Sequence, residues 1–336
     1  MPDPSNLQPE FKYFSAEVFT NVYDGVNQIK MPKSLMILGF SNDKDAAIPV
    51  RHDNYIFRRE VLRDLLAFLR KPNGDALFIT GPTGSGKTSV VNEVCARLNW
   101  PVQLLTLNNR FEFSQLTGHF TYSSQKEGGA PEMTFQYGPL AKAMKYGHVL
   151  VLNEIDLADA GELAGLNDVL EGRPLVLADN AGEIIHPHPL FRVVATANSC
   201  GNGDGTGRYM GVQQLNLAFL DRFRFLEVGY QSPDVEETLL AKTVPAMKPV
   251  LASMVRLANE IRTLFSEGRI SLTMSTRTLL RWADLTLRFQ PLAHQGIQPL
   301  SYALDRALGF RASRPTRAML HELLQRMFPM DCHLGE

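Results

Sequence analysis

The sequence predicts an α/β fold: a largely parallel sheet sandwiched by helices, followed by a small all-α domain. Three observations carry this. Short apolar runs alternate with helical segments between residues 76 and 228, as strands buried on both faces of a parallel sheet do. A glycine-rich loop joins the first of these runs to a helix. Beyond about residue 232 only helical periodicity remains.

Taken in chain order, residues 1–10 are polar and rich in Pro, a composition expected to stay disordered. Residues 11–50 hold scattered apolar groups and a polar loop, Ser41–Asp45, and read as an extension and linker. Val61–Leu69 has apolar residues at 61, 62, 65, 66 and 69, which is helical spacing, and Pro72-Asn73-Gly74 makes the turn that ends it. Ala76–Thr80 is the first buried strand, and a helix over Thr88–Leu98 follows its loop. Further strands are predicted at Val102–Leu107, His148–Leu152, Phe191–Ala195 and Phe225–Val228, with a helix after the His148 strand ending near Leu170. Ser232-Pro233-Asp234 starts a helix with Ser as N-cap and Pro in the first turn. Helices are predicted over 234–243, 250–267, 275–289 and 313–327. The expected domains are therefore 1–50, 51–231 and 232–336.

Bulk properties narrow the class. The 336 residues are 44% hydrophobic and 21% charged, ordinary for a globular protein that buries its own core. A net charge of −1 gives no global field toward nucleic acid or anionic membrane. Cys95, Cys200 and Cys332 have no metal-binding spacing and read as free thiols in a reducing compartment. No basic-then-apolar leader opens the sequence, and the longest apolar run is about seven residues, against the roughly 20 that span a bilayer. A cytoplasmic protein without a membrane span is expected.

The chemistry starts at Gly81-Pro82-Thr83-Gly84-Ser85-Gly86-Lys87-Thr88, which matches GxxxxGK[ST]. Its glycines let backbone N–H groups turn inward around phosphate. Lys87 reaches the β- and γ-phosphates, and the Thr88 hydroxyl ligates Mg²⁺. The helix that follows points its positive end at the anion. ATP and Mg²⁺ are thus the expected ligands. A second strand must bring an acid to the attacking water, and His148–Leu152 ends in Asn153-Glu154. Glu154 is the candidate base. Asn153 stands where an Asp would carry charge, and it can still accept a hydrogen bond from a metal-bound water. Phe191–Ala195 runs into Thr196-Ala197-Asn198, which offers a polar group between Glu154 and the γ-phosphate. Arginines at 222, 224 and 277 are further candidates, because guanidinium neutralises a transferring phosphoryl group. His186 and His188 flank Pro187 and read as structural histidines or metal ligands.

The ordered set GPTGSGKT, VLVLNEID, ATAN, LDRF and STRT resembles the AAA+ superfamily, and within it the MoxR branch. ARLNWP at 96–101, IHPHPLFRVVATAN at 185–198 and GDGTGRYMGVQQLN with LDR at 203–222 resemble the ATPase subunits of aerobic cobaltochelatases. The resemblance runs from about residue 50 to 290. It implies that Asn198 is sensor 1, Arg222 the arginine finger acting on a neighbour's ATP, and Arg277 sensor 2. Arg224 has no counterpart. It also implies a helix-2 insert over 118–138 and a presensor-1 hairpin over 175–188, both facing the pore or client. The implied protein is an ATP-hydrolysing hexameric ring. Its partners are a CobT-like protein with a von Willebrand factor A domain and a metalloenzyme or chelatase client, with cobalt insertion into a corrin-ring precursor as the narrower role. The alternatives are a nucleic-acid motor on the same fold, disfavoured by the near-neutral charge, and a weakly hydrolysing ATP-binding scaffold, motivated by Asn153.

Overall fold

The protein is described here by a computed structural model, which covers residues 11–123, 132–201, 203 and 211–328. Residues 1–10, Cys332 and most of the 203–210 stretch lie outside the described residues, as does 124–131 within the expected insert.

Strands β1 (Phe11–Ser15), β2 (Val22–Tyr23), β3 (Gln28–Ile29), β4 (Met36–Phe40) and β5 (Phe57–Arg58) precede helix α1 (Arg59–Arg70). The α/β core then runs β6 (Ala76–Thr80), α2 (Lys87–Arg97), β7 (Val102–Thr106), α3 (Ser114–Thr117), β8 (Gly118–Ser123), β9 (Glu132–Tyr137) and α4 (Pro139–Tyr146). It continues through β10 (Val149–Asn153), α5 (Ala160–Leu163), α6 (Asn167–Leu170), β11 (Leu175–Leu177), β12 (Glu183–Ile185), β13 (Arg192–Ala197), α7 (Leu217–Leu220) and β14 (Phe223–Glu227). Helices α8 (Pro233–Thr243), α9 (Lys248–Ser266), α10 (Thr276–Arg288), α11 (Pro299–Ala307) and α12 (Arg314–Met327) complete the chain.

The central sheet has five strands in the order β14-β6-β13-β10-β7, and every pairing in it is parallel. The P-loop strand β6 lies between β14 and β13 and is buried at all five positions. Alternate residues of the strands feed two cores. Phe78, Leu150 and Leu152 pack with α3 to α6, whereas Leu77, Ile79, Val149 and Val151 pack with α1 and α2. Helix α1 covers the second face because Val61, Leu62, Leu65, Leu66 and Leu69 form one apolar stripe. A separate core around Met254, Ile261, Trp282 and Leu304 holds the helical domain together.

Several elements depart from the expectation or were absent from it. The segment after β10 is not one helix: it breaks into short turns at 155–157, 160–163, 164–166 and 167–170. Asp159 restarts the chain by capping Gly161 N–H at 2.7 Å, and Gly165 sits so close to the Phe113 ring that a Cβ would collide with it. Ser232 stands at the N-cap of α8, but its hydroxyl donates to Gly25 O at 2.5 Å instead of capping the helix. Helix α11 was not anticipated, although Leu300, Ala303, Leu304 and Ala307 carry helical spacing. Nor were the N-terminal strands: β1 pairs antiparallel with β4, and Ile37 and Phe40 join the core beside Trp100. Two antiparallel hairpins, β8–β9 and β11–β12, project from the core with Tyr122, Met133, Val176 and Ile184 exposed. Among the described residues no helix is long and apolar enough to cross a membrane. Cys95 and Cys200 are both free thiols, the first buried and the second exposed.

Candidate nucleotide-binding site

The site forms where β6 ends and α2 begins. Gly81 has φ +144°, and a Cβ on it would run into the carbonyl of Val228. Gly84 has φ +69°, and its missing Cβ would stand 2.6 Å from the Cβ of Ser275. Gly86, at φ +95°, is the left-handed N-cap of α2, with only the Tyr55 hydroxyl near, at 4.0 Å from the Cβ position. Side chains at these positions would strain the loop or fill the cradle. The Ser85 hydroxyl is buried and has no hydrogen-bond partner in the protein, an orphan donor inside the cradle. Together with the unpaired first amides of α2, this suits a phosphate chain.

Lys87 is buried at the first position of α2. Its ammonium donates to Gly81 O at 2.8 Å, Pro82 O at 3.1 Å and Asn198 Oδ1 at 2.9 Å. Burial lowers its pKa from the ordinary lysine value, and the negative charges of Glu154 and Asp156 oppose that.

The parallel register brings β10, β13 and β6 to the same edge of the sheet. Asn153, at the end of β10, accepts two hydroxyl hydrogen bonds on Oδ1, from Thr88 at 2.8 Å and Thr196 at 3.0 Å. Glu154 follows in the left-handed region at φ 53°, a conformation costing a non-glycine residue about 1–2 kcal/mol. That turn aims its carboxylate back over the sheet edge, where Asn198 Nδ2 donates to Oε2 at 2.7 Å. Burial raises the Glu154 pKa above the usual glutamate range, partly offset by Lys87. Asn198 thus bridges the two charged groups, Lys87 through its oxygen and Glu154 through its nitrogen. Asp156 is fully buried and fixes the turn after Asn198, accepting from Ser199 Oγ at 2.9 Å and Ser199 N at 3.2 Å.

The arginines divide. Arg222 precedes β14, and the register pairs Phe223 with Ala76 and Glu227 with Thr80. It therefore lies at the opposite end of the strands from the P-loop, about 13 Å of strand away. There its Nε donates to Glu171 Oε1 at 3.1 Å, and Arg224 donates to Asp75 Oδ2 at 2.8 Å. Arg277 sits in the first turn of α10, exposed, two residues after the Ser275 that abuts Gly84. The helical domain thus stands at the mouth of the cradle. His188 Nδ1 accepts from Leu190 N at 3.1 Å, and no cluster of three or more His, Cys, Asp or Glu suited to a metal occurs among the described residues. Sequence reasoning missed Tyr55, Tyr230 and Ser275, which all border the P-loop. No local motif marks Tyr55 or Tyr230, and STRT marks Ser275 only as the start of a helix, because each is brought there from a distant segment.

Fold and site together define a P-loop ATPase of the AAA+ class. Residues 76–223 match the AAA domain family, dynein-related subfamily, and residues 236–327 match the CbbQ/NirQ/NorQ C-terminal family. This pairing of an AAA domain with a CbbQ/NirQ/NorQ-type C-terminal domain is similar to that of the MoxR-type AAA+ ATPases. It is 29% identical over 293 residues to the aerobic cobaltochelatase subunit CobS of a Sinorhizobium species, covering 85% of each chain. It is also 29% identical over 257 residues to an uncharacterized protein of Staphylococcus saprophyticus, covering 76% of this chain and 90% of that one. A RuvB mutant from Thermotoga maritima superposes with a TM-score of 0.47 at 13% identity, covering 73% of this chain and 68% of that one. That overlap adds nothing beyond the sheet already described.

Proposed function

We propose that this chain hydrolyses ATP to ADP and phosphate in a ring of identical subunits, and that turnover remodels or metallates a partner complex. The observation that carries this is the hydrogen-bonded chain Lys87–Asn198–Glu154 at the edge of the cradle. It holds a cation for the phosphates and a carboxylate for the water within one polar side chain of each other. Glu154 would accept the proton of the attacking water, and its raised pKa makes it a stronger base than a free glutamate. Asn198 would keep that carboxylate directed at the γ-phosphate. Mg²⁺ would be held by Thr88: its hydroxyl hydrogen is committed to Asn153, which leaves its lone pairs for a metal. When bound, the ion would neutralise charge on the β- and γ-phosphates. Asn153 would act by orienting Thr88, since both hydrogen bonds to its one oxygen come from hydroxyls.

Arg222 lies at the far end of the strands from its own cradle, so it would complete the site of a neighbour; that requires an oligomer, and a ring of six is the form proposed. Arg277 would approach the γ-phosphate from the helical domain. CobS is named as a cobaltochelatase subunit, and by analogy the partner here would carry a von Willebrand factor A domain of the CobT kind. The client would be a metalloenzyme or chelatase, with cobalt insertion into a corrin-ring precursor as the narrowest form. Purified protein, assayed alone and with such a partner, should hydrolyse ATP. Glu154→Gln should lower kcat by about 10²–10⁴-fold while ATP still binds. Hydrolysis that survives this substitution would remove Glu154 as the base.

A further inference from the structure

We propose that Tyr230, Arg262, Glu236 and Thr276 form a positioning relay that couples the P-loop to the helix bearing Arg277. The proposal rests on the ATPase reading above and deepens it. The relay begins at the tip of the P-loop, where Tyr230 Oη donates to Thr83 O at 3.1 Å. Tyr230 belongs to the segment joining the two domains, between β14 and α8. The Arg262 guanidinium lies over its ring, 4.1 Å from the centroid. Arg262 is buried on α9 and makes a bidentate pair with Glu236 of α8, through Nη1 at 2.7 Å and Nη2 at 2.8 Å. Glu236 is fully buried, and its Oε1 also accepts from Thr276 Oγ1 at 2.6 Å. Arg262 Nε closes the circuit by donating to Met274 O at 2.8 Å, so the start of α10 is held at two points.

A buried ion pair seldom adds stability over a well-packed apolar pair of the same size. What it contributes is a fixed geometry, and here the fixed object is the first turn of α10. Thr276 is anchored inward, and successive residues of a helix diverge by about 100°, so the direction in which Arg277 leaves the helix is set by that anchor. Ser275, on the other side of Thr276, rests against Gly84. The same few residues therefore touch the P-loop at Thr83 and Gly84 and end on Arg277.

The test uses full-length assembled protein with ATP and Mg²⁺. Thr276→Val removes one hydroxyl and leaves the buried pair intact, and Tyr230→Phe removes only the bond to Thr83. Thr276→Val should lower kcat about tenfold, the effect of one hydrogen bond to a charged partner, and Tyr230→Phe about fivefold, that of one neutral bond. For Thr276→Val, KM and the Kd of a fluorescent ATP analogue should stay within about twofold, because its hydroxyl makes no bond to the cradle. Thr276→Ser should restore kcat. In the Arg277→Ala background, Thr276→Val should cost nothing further, since the relay acts through that arginine. Wild-type kcat in both single variants, or a loss that adds in full to Arg277→Ala, overturns the relay and spares the ATPase reading. A wild-type protein that hydrolyses no ATP, alone or with its partner, overturns both.

Discussion

Single residues set the chemistry of this site, and Asn153 is the one that departs from expectation. An aspartate there would present a charge to the metal shell. The asparagine instead spends its one oxygen on the hydroxyls of Thr88 and Thr196. The carboxylates that remain nearby are Glu154, half-buried and committed to Asn198, and Asp156, committed to Ser199. Asn153→Asp would turn two neutral hydrogen bonds into charge-assisted ones and add a negative charge beside Thr88. Two opposite unit charges about 4 Å apart attract by about 1 kcal/mol even in water, so the added charge should lower half-maximal Mg²⁺ for ATP hydrolysis about fivefold. A Mg²⁺ titration of the ATPase rate checks this. An unchanged midpoint would mean that the site draws its negative charge from elsewhere.

At the scale of elements, the helical domain is positioned by its own core as much as by the P-loop. Trp282 of α10 is fully buried, and its Nε1 donates to Leu300 O at 3.0 Å, tying α10 to α11. Its ring meets Phe328 edge-on, with centroids 6.2 Å apart. Trp282→Ala would leave a large cavity and remove the indole bond to the Leu300 carbonyl. The expected cost is about 3–5 kcal/mol, confined to the helical domain because its core is separate from those of the sheet. Thermal unfolding should then show an early transition, with loss of ATPase preceding loss of the sheet. One unshifted transition would show that α10 does not depend on this core. The sheet domain has a comparable internal fixture in Arg192, whose guanidinium closes the end of α1 by donating to Leu69 O and lies over Trp100.

For the whole molecule, the separation of Arg222 from the P-loop is the governing fact. Both lie on the same pair of strands, β14 and β6, at opposite ends. On the function proposed above, one chain would carry half of each of two sites. Arg222→Ala should leave the monomer folded, because the bonds it loses, to Glu171 and to the Ala218 carbonyl, lie at the surface and are worth little. Its hydrolysis should drop about 10³-fold or more, as for other arginine fingers. Mixing it with a Lys87→Ala variant should recover part of the rate in hybrid rings, where an intact cradle meets an intact arginine. Failure of every mixture to recover activity would argue that Arg222 acts within its own subunit.

The sequence by itself determined the strands of the central sheet, the cradle and the candidate residues. Ala76–Thr80 and Val149–Asn153 are legible because burial on both faces demands unbroken apolar runs, whereas Val102–Thr106 is a partly exposed edge strand marked only by Val102, Leu104 and Leu105. The cradle is legible because phosphate binding needs glycines and lysine at fixed local spacing. Less local features were not. β1 and β4 are separated by the residues between Ser15 and Met36, and nothing in either strand names its partner. The broken helix after β10 depends on Phe113 packing over Gly165, a contact made across the chain. Only the tertiary structure decided that Asn198 bridges Lys87 and Glu154, that Asn153 is saturated by hydroxyls, and that Tyr230 and Ser275 border the P-loop. Each is a side-chain contact between segments far apart in sequence, fixed by strand register and domain packing, which periodicity and spacing do not encode.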